Sequence, residues 1–122
     1  MMAPVSSFPA QVLRFAADED WVVNEGWDIE SRRLKADGCD VIFATYPEGM
    51  SLEPHQHDDM DIVGVVTKGV VRLTIGGMER HYTPGEWFHV PPSVVHSATY
   101  EEECSQVELV FPVQDASAQP SH

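Results

Sequence analysis

Pro54-His55-Gln56-His57-Asp58-Asp59-Met60-Asp61-Ile62-Val63-Gly64-Val65-Val66-Thr67-Lys68-Gly69 joins a His-x-His pair to a valine-rich run. Successive side chains of an extended segment point to opposite faces, so His55 and His57 project their rings from the same face. One strand thereby offers two imidazoles to a single metal ion. Pro54 before the pair and Asp58-Asp59 after it mark a strand end that opens onto a loop. Asp61 to Lys68 is rich in Val and stops at Gly69, the pattern of a second strand. Histidine pairs at loop edges are also common without a metal, so their meaning depends on what surrounds them.

Outward from this stretch, short strands alternate with turn signals. Val70 to Ile75 places Val71, Leu73 and Ile75 on one face and Arg72 and Thr74 on the other. Gly76-Gly77 supplies the positive φ of a two-residue hairpin, from which Met78 to Tyr82 returns. Thr83-Pro84-Gly85-Glu86 is a tight turn, and Trp87 to Val90 is a strand stopped by Pro91-Pro92, which have no N–H to donate. Ser97 to Tyr100 and Cys104 to Phe111 are strands flanking the acidic turn Glu101-Glu102-Glu103. On the N-terminal side, Asp40 to Tyr46 reads as a strand, with Trp21 to Asp28 and Ser31 to Lys35 as further ones. Pro9 to Ala17 fits either a helical turn or an extended segment. Strands spaced by turns at about 8 to 12 residues define an all-β protein, a sandwich or a barrel.

At 122 residues the chain has room for one domain, and its 43% hydrophobic content is enough for one core. The barrel is expected over 13–113, with loose segments at 1–12 and 114–122. Twenty acidic residues against seven basic ones give a formal charge of −13. That balance argues against binding to a nucleic-acid backbone and disfavours anionic membranes. No apolar run approaches the roughly 20 residues of a spanning helix, and Met1 to Ala10 lacks the basic and apolar regions of a signal peptide. Cys39 and Cys104 form no CxxC, so two free thiols in a cytoplasmic protein are expected.

A third histidine, His96, follows Pro91-Pro92-Ser93-Val94-Val95 at the entry to a strand. With it, the chain from about residue 40 to 112 resembles the cupin superfamily. The first cupin motif, G(x5)HxH(x3–4)E(x6)G, is met by Gly49, His55, His57, Asp61 and Gly69. The second, G(x5)PxG(x2)H(x3)N, is met by Gly85, Pro91, Ser93, His96 and Tyr100. Asp61 stands in place of the usual Glu, Ser93 of a turn Gly, and Tyr100 of the usual Asn. The resemblance is greatest to small single-domain, RmlC-like cupins of the Cupin_2 type. It implies an antiparallel double-sheet β-barrel of the jelly-roll type with a metal inside, held by His55, His57, His96 and Asp61. A narrower likeness, to KdgF-type pectin-degradation proteins acting on unsaturated uronates, rests on Thr67-Lys68-Gly69 through Gly77 and on Glu108 to Val113. Gln114 stands where that family has a basic residue.

The acidic position has two registers. The longer motif spacing, which fits Gly69, puts the acid at Ile62, whereas the shorter puts it at Asp61 and leaves one surplus residue. A bulge at Gly64 would absorb the surplus and turn Asp61 inward. Without it, three histidines and water make the site. Such ligands suit one divalent transition ion, Fe, Mn, Ni, Co, Zn or Cu, with positions open to substrate.

Tyr46, Arg72, Tyr82, Trp87, Phe88, Tyr100 and Glu108 lie on strands that reach the cavity, and Glu108 and Tyr100 are the candidate catalytic residues. Alternation puts Gln106, Glu108 and Val110 on one face of their strand, either the cavity face or the solvent face. A carboxylate beside the metal would act as general acid or base. The expected function is a metal-dependent oxygenase, isomerase, lyase or decarboxylase reaction on a small organic molecule. The alternatives are a non-catalytic small-ligand or sensor module and a metal that only staples the barrel. Trp21, Val22, Val23 and Trp27 form an apolar group that points to a homodimer.

Overall fold

The structure is a computed structural model, and residues 8–18, 27 and 29–113 are described. A short helix, α1 (Ala10–Phe15), settles the ambiguous N-terminal segment and is followed by β1 (Ala17–Asp18). The strands after it are β2 (Glu30–Ala36), β3 (Cys39–Tyr46), β4 (Ser51–His55), β5 (Met60–Lys68) and β6 (Val71–Ile75). The last four are β7 (Met78–Tyr82), β8 (Trp87–Val90), β9 (His96–Thr99) and β10 (Cys104–Pro112). Each expected strand from residue 31 onward is present within about one residue at either end, because alternation and turn residues agree along the chain. Trp21, Val22 and Val23 lie outside the described residues.

The strands form two antiparallel sheets, one of six in the order β1-β2-β3-β10-β5-β8 and one of four in the order β4-β9-β6-β7. This is the jelly-roll arrangement, and the apolar sides of both sheets face each other. Ile42, Ala44 and Tyr46 of β3, Ile62 and Val66 of β5, and Val110 of β10 supply the core from the larger sheet. Val71, Leu73 and Ala98 supply it from the smaller.

Gly64 has a different role from the bulge that its position suggests. It pairs with Phe88 on β8, whose ring lies over it, and a Cβ there would stand 2.1 Å from Phe88 Cζ. Gly64 therefore admits an aromatic ring into the core. The register shift falls later, where Gln106 pairs with Val66 but Ser105 pairs with Lys68, so Thr67 is the extra residue. The alternation of β5 runs unbroken from Ile62 to Val66, with Ile62, Gly64 and Val66 buried. Gly69 closes the strand at φ +78°, and a side chain there would meet the Glu103 carbonyl at 2.1 Å.

Candidate metal centre

β4 and β9 pair so that His55 stands directly opposite His96. His57 lies two residues past His55, beyond the strand end. Its carbonyl accepts a 2.7 Å bond from the Ser93 N–H, and the Ser93 hydroxyl donates to Asp58 Oδ1 at 2.9 Å. Ser93 thus ties the second motif to the first, and it does so at φ +64°, in the left-handed region that the family's glycine would occupy freely. The ring centroids lie 4.2 Å apart for His55–His96, 5.0 Å for His55–His57 and 5.4 Å for His57–His96. One ring nitrogen from each falls within 4.8 Å of the other two.

Two of these rings are oriented by backbone. His55 Nδ1 lies 2.7 Å from the Glu53 carbonyl and His96 Nδ1 lies 3.0 Å from the Val94 carbonyl. A carbonyl only accepts, so Nδ1 carries the proton in both and Nε2 is left as a lone pair for an ion. Burial, and next to it the neighbouring His55, pulls the His57 pKa below its ordinary value; burial does the same for His96 against the bond to Val94. Neutral imidazole is the form that ligates. Donor type, convergence and fixed tautomers all fit a divalent transition ion.

Asp61 is not among these groups. It lies on the outer side of the larger sheet, where His89 Nε2 meets its Oδ1 at 2.6 Å, while Ile62 faces the cavity. The reason is register: the surplus residue is taken up at Thr67, after the acidic position, so the expected inward turn of Asp61 does not occur. Among the described residues the cluster that could hold a metal ion is His55, His57 and His96.

The three histidines open into a cavity of about 510 Å³. Leu52, Ile62, Leu73, Ile75, Phe88 and Val90 make its apolar walls. Its deep end is polar and closed: Tyr46 is 2% exposed, Tyr100 1%, Gln106 3% and Glu108 8%. The Tyr46 hydroxyl donates to Glu108 Oε2 at 3.1 Å and Tyr100 donates to Gln106 Oε1 at 3.3 Å. The two tyrosine rings stack, 4.6 Å apart and 14° from parallel. Burial raises the Glu108 pKa, opposed by bonds from Tyr46 and Gln106. Burial first, then the Glu108 charge, keeps both tyrosine hydroxyls protonated. Of the other cavity candidates, Phe88 lines the wall. Trp87 is 57% exposed, and Arg72 pairs with Glu101 at 3.5 Å in the outer groove it shares with His81. Gln106 is a further residue of the cavity, placed there by its alternation with Glu108 on β10.

A jelly roll with histidines converging on its cavity defines the class of protein. The Cupin_2 family model, described as a cupin domain, matches residues 42–111, more than half of the chain. The chain belongs to this family. It is 34% identical over 80 residues to the H2HPP isomerase of Bacillus subtilis, an alignment covering 63% of this chain and 34% of that protein. The chain thus spans about a third of the length of that curated relative. Among solved structures it resembles KdgF from Halomonas sp., with a TM-score of 0.63, 22% identity and coverage of 79% of this chain and 93% of that one. It also resembles an RmlC-like cupin from Shewanella frigidimarina, with a TM-score of 0.64, 18% identity and coverage of 85% and 99%. Among the described residues no helix is long and apolar enough to cross a membrane.

Proposed function

We propose that this cupin is a metal-dependent enzyme that moves a proton on a small organic molecule, an isomerase-type reaction. The observation that carries it is the pairing, in one cavity, of three converging imidazoles with a buried carboxyl. His55, His57 and His96 would hold one divalent transition ion. Bound there, it would act as a Lewis acid toward an oxygen of the substrate. The remaining work falls to the chain. The apolar walls exclude water around the reacting groups. Glu108 exchanges the proton, since burial moves its pKa toward the working range of a general acid or base. Tyr46 orients that carboxyl through its hydroxyl, and Tyr100 backs Tyr46 by stacking and holds Gln106. The relative named as an isomerase supports this reaction type.

The test is incubation of the metal-loaded protein with a panel of small hydroxy- and oxo-acids in D2O, followed by NMR. Metal-dependent deuterium incorporation is expected, reduced about a hundredfold or more in Glu108→Gln. Stoichiometric metal with no exchange on any compound would make the chain a binding module instead.

We also infer a cytoplasmic homodimer. Free Cys39 and Cys104 suit a reducing compartment, and the outer side of the larger sheet carries Trp87 and Phe111, 57% and 38% exposed. These flank Val63, Val65, Val107 and Leu109, an apolar side suited to a second copy. Sedimentation showing only a 13.6 kDa species at high micromolar concentration would remove the dimer.

A further inference from the structure

The polarity of the deep end of the cavity narrows the class of molecule it takes. Both hydroxyl protons there are already engaged, Tyr46 on Glu108 and Tyr100 on Gln106. Toward the cavity the tyrosyl oxygens and the Glu108 carboxyl therefore have lone pairs to offer, which is an acceptor-rich wall. The acidic residues of the lining are Glu53 and Glu108, and among the described residues no lysine or arginine lines the cavity. Arg72, the nearest candidate by sequence, is turned to Glu101 on the outside. The bonding partners of this buried carboxyl, Tyr46 and Gln106, are neutral, so its ionised form is costly until a ligand supplies the missing counterpart. A ligand with polar hydrogens is the group that can complete it. A second carboxylate would instead meet Glu108 across an apolar, weakly screening space, after approaching a chain of charge −13.

We propose that the cavity selects a small molecule bearing polar hydrogens, ammonium or hydroxyl, on the end turned to Glu108, and rejects one with a second anionic group there. This rests on the metal-dependent reading, in which the other end of the ligand faces the histidines. Glu108 is then a specificity-determining residue as well as the proton-exchanging one. A dianionic sugar acid is a poor ligand for this chain.

The experiment is calorimetric titration of the Zn(II)-loaded protein with hexanoate, 6-hydroxyhexanoate, 6-aminohexanoate and adipate. These flexible chains share one carboxylate head and differ only at the far end. The hydroxyl and ammonium compounds are expected to bind about tenfold tighter than hexanoate, and adipate about tenfold weaker. A gain confined to the ammonium compound identifies ion pairing as the source, and one confined to the hydroxyl compound identifies neutral hydrogen bonding. Glu108→Gln keeps an acceptor oxygen and removes the charge, so it should erase the ammonium advantage and the adipate penalty. Adipate binding as tightly as 6-hydroxyhexanoate, an unchanged ranking in Glu108→Gln, or no binding by any of the four overturns the proposal. If the variant does not fold, the ranking in the parent protein decides alone. Zinc uptake is scored separately by elemental analysis and turnover is not read, so failure of the metal-dependent reading is a distinct result.

Discussion

The histidine rim is positioned by backbone, whereas the deep end of the same cavity is positioned by side chains. At the rim, His55 and His96 face each other across a strand pair, and each ring is anchored to a carbonyl two residues away in sequence. At the deep end, Tyr46 reaches Glu108 across 62 residues of sequence, and a stacked second tyrosine completes the cluster. The rim is partly exposed and its neighbours are local, so substitutions there should change binding more than folding. The deep end is closed and its members depend on one another, so substitutions there should cost stability. The candidate metal site is therefore expected to be separable from the barrel, and the buried polar wall is not.

The largest effect is expected at the rim. His55→Ala combined with His57→Ala should abolish stoichiometric metal, measured by elemental analysis, while circular dichroism shows a folded barrel. Unfolding of that variant would mean that the rim also holds the fold.

Gly64→Ala should act in the opposite sense. Its new methyl meets the Phe88 ring at 2.1 Å, and overpacking of this kind costs about 1–3 kcal/mol. Denaturant melts should show the loss, and Phe88→Leu in the same chain should restore part of it. Metal content per folded chain should stay at one.

The deep end should also respond to pH. Burial raises the Glu108 pKa in the folded chain, so its protonated form is favoured there over the unfolded state. Its contribution is fully present below the unfolded value of about 4.3 and is lost as pH rises through the raised folded value. Glu108→Gln lacks this loss. The difference in melting temperature, variant minus parent, should therefore grow from pH 4 to pH 8. A difference that is flat or falls with pH would mean that Glu108 is charged at no cost in the fold.

Asp61→Asn should have the smallest effect. Its partner His89 is 54% exposed, and exposed pairs contribute about 0.5 kcal/mol or less. Metal titration should give the dissociation constant of the parent. A loss of affinity would place the carboxylate at the ion after all and require a different register for β5.

Much of this molecule was legible along the chain. The strands follow from alternation and turn residues, each a local property. His55, His57 and His96 are legible because two motifs frame them, with Gly49, Gly69, Gly85 and Pro91 in place and Ser93 at the remaining glycine position. Asp61 shows where local reading ends. Both registers obeyed alternation up to the surplus residue, and only pairing with β10 placed that residue at Thr67, leaving Ile62 inward. Gly64 shows the same limit: glycine in a strand signals a bulge or a close approach, and only the position of Phe88 distinguishes them.

Local pattern and composition are enough to specify an all-β chain, His55 and His96 at strand ends with His57 two residues further on, and a formal charge of −13. These rest on the steric periodicity of an extended backbone and on composition, which need no partner strand. Strand pairing and sheet packing put Asp61 on the outer side of the larger sheet and turn Glu108 to the cavity rather than to solvent. They also bring Tyr46, Tyr100 and Gln106 into one closed polar wall around Glu108. The physical reason is that period two in a strand gives two faces without naming which is inside. That choice is made when register and the packing of one sheet on the other bury one face and expose its opposite.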